Sequence, residues 1–357
     1  MAGSGGKYHS DIAQRVVVCF LLLAVLVSGL AWSVPIEQAE AKDSAYVVID
    51  VQHKRVLSAS NAYARLPMAS TTKIATAITV LERANLDDKL TVSSRAAGTE
   101  GSSIYLKAGE QWRVEDLLYG LMLRSGNDAA VALAEGVGGD IDAFADMMNH
   151  TACRAGAYST HFVNPHGLHS DDHYTTAYDL AAITAYALHN PTFAEIVSAR
   201  SHAYAHPDGG KRVFVNKNKM LAAYPGADGV KTGYTTKAGR CLVTSATRDG
   251  IQLVAVVLNV YDMWQASARL LDQAFGAFRN VVLWQAGEVK LVPVADSKIP
   301  AKVIVTLSYP LSEQEVGRLV YEYHTDSTAI GRGEAKIGEV LIRLDGKVLA
   351  QAPLYRQ

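Results

Sequence analysis

Ser70-Thr71-Thr72-Lys73-Ile74-Ala75-Thr76-Ala77-Ile78-Thr79-Val80-Leu81 is the stretch from which the fold is read. Ile74, Ala77, Ile78 and Leu81 recur at i, i+3, i+4 and i+7, the spacing of a helix with one apolar face. Ser70 and Lys73 then lie one turn apart on a common face at its start. Upstream, Ala45-Tyr46-Val47-Val48-Ile49-Asp50-Val51, the polar turn Gln52-His53-Lys54-Arg55 and Val56-Leu57 read as strand, turn and strand. Downstream, helical periods run around 115–123, 128–137, 141–155 and 177–188, with Thr176 and Asp179 forming a capping box for the last. After about 227 the pattern changes to strands at 228–234, 240–247 and 251–260, followed by a helix around 264–279 with Leu271, Phe275 and Phe278 on one side. Strands at both ends of a mostly helical segment predict an α+β fold. One antiparallel sheet is assembled from the two ends, and helices pack against it.

Composition shifts again near 280. Val340-Leu341-Ile342-Arg343-Leu344, Asp345-Gly346 and Lys347-Val348-Leu349-Ala350 spell a hairpin, and 281–357 read as a small all-β domain beside a larger one at 42–280. At the other end, Lys7 and Arg15 precede an apolar run from Val16 to Val34, and Ala39-Glu40-Ala41 has the small-x-small form of a cleavage site. Residues 1–41 therefore read as a secretory signal, with an uncleaved anchor as the competing reading, and the remainder is expected outside the cytoplasm.

With 49% hydrophobic and 19% charged residues and a net charge of −1, the chain has the composition of a globular protein, not a disordered one. It has no basic excess with which to hold nucleic acid. Cys19 lies inside the apolar run, and Cys153 and Cys241 are expected as buried free thiols. Their pairing and the oligomeric state stay open.

Three short motifs carry the chemistry. Ser70-Thr71-Thr72-Lys73 offers a hydroxyl and an amine at helical spacing; a lysine with a lowered pKa can activate such a serine. Alone, this is also the pattern of a capping serine with a solvated lysine. Ser125-Gly126-Asn127 follows an apolar helix, where a plain turn would use the same residues. Lys231-Thr232-Gly233 sits on a strand, with Gly233 expected to let a ligand backbone approach closely. In this order and context the three resemble the motif set of penicillin-recognising serine enzymes. Leu66-Pro67-Met68-Ala69-Ser70-Thr71-Thr72-Lys73, Leu121-Met122-Leu123-Arg124-Ser125-Gly126-Asn127-Asp128-Ala129-Ala130 and Asp228-Gly229-Val230-Lys231-Thr232-Gly233-Tyr234-Thr235 resemble the low-molecular-weight penicillin-binding proteins, serine-type D-alanyl-D-alanine carboxypeptidases.

The resemblance covers about 44–280 and extends more loosely to the end. It implies a penicillin-recognising transpeptidase/β-lactamase-like domain. Ser70 would be the nucleophile, Lys73 its base, and Ser125 the proton relay to the leaving amine. Asn127 would bind the substrate amide, and Lys231 and Thr232 its terminal carboxylate. The N–H groups of Ser70 and Tyr234 would form the oxyanion hole, and Lys217, in Asn216-Lys217-Asn218-Lys219, would be either a further cation near the carboxylate or one lysine of a solvated basic stretch. The implied partners are peptidoglycan stem peptides ending in D-Ala-D-Ala, and β-lactams as covalent inhibitors; no cofactor or metal is implied.

A serine β-lactamase would share the motifs but needs a deacylating Glu-x-x-x-Asn. Between 141 and 200 the only glutamate is Glu195, and position 199 is Ala199. A metal peptidase would have to use His166, His169 and His173, which lie in a loop-like stretch with Pro165 and Gly167. A non-catalytic wall-binding protein would not need the base. The chain ends Ala352-Pro353-Leu354-Tyr355-Arg356-Gln357, without the membrane-lying helix many relatives carry, so a soluble form is expected if the leader is removed.

Overall fold

The computed structural model describes residues 43–294 and 297–357, so the leader reading falls outside the described residues. The described chain opens on β1 (Ala45–Asp50) and β2 (Val56–Ser60). A 3₁₀ turn at Ala69–Thr72 leads into α1 (Lys73–Leu81), so Ser70 precedes the α-helix by one turn. The short hairpin of β3 (Lys89–Thr91) and β4 (Gln111–Arg113) encloses a helical turn, α2 (Ser94–Ala97). Then come α3 (Val114–Arg124), α4 (Asn127–Gly138), α5 (Ile141–Ala155), α6 (Ala177–Leu188) and α7 (Pro191–Ser198). The hairpin β5 (Ser201–Ala205) and β6 (Lys211–Val215) and the turn α8 (Met220–Ala223) lead to β7 (Ala227–Thr235), β8 (Gly239–Arg248), β9 (Ile251–Leu258) and α9 (Met263–Ala277).

The main sheet runs β2-β1-β9-β8-β7, all antiparallel, with Ala45 opposite Leu258 and Asp50 opposite Leu253. Its two faces are separate cores. Val47, Ile49, Val254 and Val256 join the helical middle, whereas Val48, Leu253, Ala255 and Val257 pack on α9 through Leu270 and Leu271. That is why β9 reads as an unbroken apolar run: it is the middle strand, and helices cover both sides of it. β7 is the edge strand, and this leaves Lys231 next to the helical layer without a further strand beyond it.

The capping box is half formed. The Asp179 N–H donates to Thr176 Oγ1 at 3.0 Å, but the Asp179 carboxylate accepts from the Ser159 N–H and Thr160 Oγ1 instead of reaching back. The carboxylate thereby pins the loop before the helix. The sequence reading missed α7 and the β5–β6 hairpin; Asn190 caps α7 by accepting from the Phe193 N–H, and Pro191 occupies its first turn. Both cysteines are free as expected, yet only Cys241 is buried. Cys153 lies on the outer side of α5, whose inner face is Phe144, Met148, Thr151, Ala152 and Ala155.

The C-terminal residues form β10 (Arg279–Trp284), β11 (Val289–Val294), β12 (Ser297–Lys302), β13 (Leu307–Leu311), β14 (Leu319–Thr325), β15 (Lys336–Leu344) and β16 (Lys347–Arg356). Five of them make a second sheet, β11-β12-β16-β15-β14, and β10 pairs with β13. Trp284, Val292, Val303, Ile337, Ile342 and Leu354 centre a separate apolar cluster. The Asp345-Gly346 turn has φ of +49° and +80°, as a two-residue hairpin turn requires. Two helical turns interrupt this otherwise all-β part: α10 (Glu313–Val316), started by a Ser312/Glu315 capping box, and α11 (Ser327–Gly331), capped by Asp326. Arg55, in the turn between β1 and β2, bonds the Pro310 carbonyl and Glu315 and lies over the Phe278 and Tyr309 rings. Among the described residues no helix is long and apolar enough to cross a membrane.

Candidate active site

Ser70 sits on the 3₁₀ turn, preceded by Ala69 in the left-handed region at φ +49°. Lys73, the first residue of α1, has its Nζ 3.0 Å from Ser70 Oγ. Lys73 is fully buried; its amine also donates to Asn127 Oδ1 and to the His166 carbonyl, each at 2.7 Å. Burial first, then the nearby Lys231, push its pKa well below the ordinary lysine range, while Asp128 pulls the other way.

Ser125 closes α3 with φ +66° and is buried. No hydrogen bond joins it to Lys73 or Lys231 among the described residues. Asn127 opens α4; its Nδ2 donates to the Glu100 carbonyl at 2.5 Å, and its N–H to the Ser102 carbonyl at 2.6 Å. Both ends of its amide therefore have partners within the chain. Lys231 is buried on β7 and donates to the Thr232 carbonyl at 2.9 Å. Burial and then Lys217 lower its pKa to about 7. Lys217, tied to the end of α3 through its N–H and the Leu123 carbonyl, is itself lowered by burial and by Arg124. Lys73, Lys231, Lys217 and Arg124 thus lie close enough together that the charge on one disfavours a proton on the next, and a carboxylate ligand would relieve that repulsion.

Gly233 lies close to the chain's own backbone. A Cβ there would lie 3.0 Å from the Ser70 nitrogen and 3.1 Å from the Met68 oxygen and Thr71 nitrogen. That backbone is the Ala69–Thr72 turn carrying Ser70, pressed against the edge strand.

Several residues without a sequence-derived role hold the site. Asp128 is completely buried, and its carboxylate accepts from Ser103 Oγ and from the N–H groups of Ile104, Leu106 and Ala129. It anchors the loop that carries Glu100 and Ser102. Gly167, at φ +87°, passes so close to Ala69 that a Cβ would sit 1.9 Å from the Ala69 carbonyl oxygen. His166 and His173 are neutral at pH 7: burial and then Lys73 lower His166 to about 4, and burial and then His166 lower His173 to about 3. His169 faces Asp171, and no group of three or more His, Cys, Asp or Glu among the described residues could hold a metal ion. The local sequence Ser-Gly-Asn-Asp contains the signal for Asp128, since an acid directly following the second motif is there to be asked about; nothing local marks Gly167.

Lys231 makes stability depend on pH. An open-chain lysine keeps its proton to about 10.5, whereas the folded Lys231 releases it near 7. Between these values the unfolded chain binds more protons, so stability should climb as pH rises from 7 toward 10. Thermal melts across that range should show the climb reduced in Lys231→Met, which should also be more stable than the wild type at pH 6; equal slopes would contradict the assignment.

Residues 33–262 match the family model described as D-alanyl-D-alanine carboxypeptidase. The chain is 32% identical over 332 residues to the D-alanyl-D-alanine carboxypeptidase DacF of Bacillus subtilis, covering 88% of this chain and 84% of that protein. It is 31% identical to DacA of Escherichia coli, over 87% and 81% of the two chains. Among solved structures, penicillin binding protein 5 from Haemophilus influenzae superposes with a TM-score of 0.70 at 27% identity, over 87% of this chain and 95% of that one. With the fold, the order of the motifs and these relatives agreeing, the chain belongs to the peptidase S11 family of D-alanyl-D-alanine carboxypeptidases, serine hydrolases of the penicillin-binding protein fold.

Proposed function

We propose that the protein is an exported carboxypeptidase that removes the terminal D-alanine from peptidoglycan stem peptides through an acyl-enzyme on Ser70. The bonding of Lys73 carries this reading. A neutral amine has two N–H groups and one lone pair. Asn127 Oδ1 and the His166 carbonyl can only accept, so they take both N–H groups. The lone pair is left for the Ser70 hydroxyl at 3.0 Å. Ser70 attacks the carbonyl of the penultimate D-alanine as Lys73 takes its proton. Ser125 hands its proton to the leaving amine and regains one from the protonated Lys73, and free D-alanine departs. Water then cleaves the ester and restores Ser70. The N–H groups of Ser70 and Tyr234 bind the oxygen that becomes negative in the transition state. Lys231 and Thr232 bind the terminal carboxylate, whose charge raises the Lys231 pKa from its free-site value. Asn127 fixes Lys73 and turns its second Nδ2 hydrogen to the substrate amide. Residues 42–280 are the catalytic domain, and 281–357, with their own apolar cluster, serve as an accessory β domain.

A penicillin presents the same amide in a strained ring and should acylate Ser70. Intact-mass analysis after incubation, followed by peptide mapping, should find one adduct on the fragment containing Ser70, and a D-Ala-D-Ala peptide should release free D-alanine. The same spectrum reports the mature N-terminus. An adduct elsewhere, or none on folded protein, overturns the reading. Fast turnover of a chromogenic cephalosporin without D-alanine release would point to a β-lactamase instead.

A further inference from the structure

One side chain behind the cleft is bonded more specifically than packing requires. His173 is buried in the loop before α6, with the Phe162 ring edge-on at 5.7 Å. The Val163 N–H donates to its Nδ1 at 3.1 Å, so that nitrogen carries no proton. The neutral ring must then hold its hydrogen on Nε2, which lies 2.8 Å from Thr72 Oγ1 and donates to it. Thr72 in turn donates to the Ala69 carbonyl at 2.8 Å. The chain of bonds has one direction only: Val163 N–H to His173, His173 to Thr72, Thr72 to the carbonyl of the residue preceding Ser70. Its end point is strained. Ala69 has φ +49°, a conformation that costs a non-glycine residue energy and persists only where its surroundings impose it.

We propose that His173 is a positioning residue for the nucleophile, acting through Thr72 to hold the Ala69 peptide and so aim Ser70. This rests on the reading of Ser70 as nucleophile. The groups that face the ring besides Thr72 and Val163 are His166, His161, His169 and Lys73, and all of them disfavour a proton on it. The ring therefore stays a one-donor, one-acceptor link at neutral pH. A protonated ring would have two donors and could not accept from Val163.

The test compares acylation by a penicillin with deacylation and thermal melting. His173→Asn keeps an acceptor near Nδ1 but cannot reach Thr72; His173→Gln keeps a donor near Nε2. Because a displacement of about 1 Å at a reacting atom can cost on the order of 10²-fold, acylation should fall at least about tenfold in His173→Asn, with prior non-covalent binding unchanged. His173→Gln should recover most of the rate. Thr72→Val should fall as His173→Asn does, Thr72→Ser should not, and the double variant His173→Asn/Thr72→Val should be no slower than the slower single. Acylation within twofold of the wild type in folded His173→Asn or Thr72→Val overturns the proposal, as does a loss in His173→Gln equal to that in His173→Asn. If His173→Asn does not fold, the two Thr72 variants decide. A wild type that is not acylated at Ser70 would instead remove the underlying reading of the site.

Discussion

Lys73→Arg should abolish acylation by penicillin, by about 10³-fold or more, whereas Lys231→Arg should keep a measurable part of it. The two lysines are both buried and both depressed, but the proposed mechanism uses them in opposite states. Lys73 must offer a lone pair, and guanidinium cannot lose its proton at accessible pH. Its three donors and acceptors are also arranged for a single nitrogen, with partners at 2.7, 2.7 and 3.0 Å. Lys231 needs only positive charge beside a carboxylate, which arginine supplies. With a free-site pKa of about 7, Lys231 is charged below neutrality and loses its charge above it. Acylation at saturation should rise with pH as Lys73 deprotonates, while substrate affinity should weaken above about pH 7. Pre-steady-state acylation across a pH series measures both arms. Substantial acylation by Lys73→Arg would transfer the role of base to Ser125.

Gly167→Ala should be the most damaging one-carbon change near the site. The new methyl would meet the Ala69 carbonyl oxygen at 1.9 Å, its carbon at 2.5 Å and Thr72 Oγ1 at 2.8 Å, all parts of the turn that carries Ser70. Neither neighbour is a flexible end that can swing away. Gly139 supplies the control: its φ is +84° against +87° for Gly167, and nothing lies within 4 Å of its Cβ position. Gly139→Ala should therefore show backbone strain alone, about 1–2 kcal/mol, with full activity. Gly167→Ala should exceed that loss, by thermal melting, and should lose acylation almost entirely. Equal melting shifts with activity retained would show that the loop and the turn that carries Ser70 are not rigidly seated on each other.

Much of this was legible because periodicity is a local signal. The helices at 141–155 and 177–188 and the strand triplet after 227 follow from apolar spacing and end where Gly or a cap ends them. The β5–β6 hairpin was not legible, since Tyr204 faces inward between two alanines and Phe214 between the exposed Val213 and Val215, so neither strand shows apolar/polar alternation. Motif residues could be named, but not what binds them. That Asn127 spends its amide on Lys73 and Glu100, or that the partner of Gly233 is the Met68–Thr71 turn, depends on segments far apart in the chain meeting in space. His173 was open to a metal-ligand reading by spacing alone; the Val163 N–H on one ring nitrogen and Thr72 on the other close it.

The strand order β2-β1-β9-β8-β7 also sets when the enzyme can come into being. Val48 pairs with Ala255, more than two hundred positions later, so the centre of the sheet is a long-range closure of the kind that slows folding. As the chain is made, β1 and β2 can pair with each other at once, but the other edge of β1, apolar on both faces, has no partner for most of synthesis. Ser70 and Lys73 follow early, on a helix that forms locally. Yet Lys231 and Gly233 arrive only with β7, and β7 has no sheet to join until β8 and β9 follow it. A ribosome-bound or truncated chain lacking those strands carries Ser70 without the wall against which its turn is pressed. Activity is therefore expected only once β7, β8 and β9 are present, in the same step in which β1 gains β9 as its second neighbour.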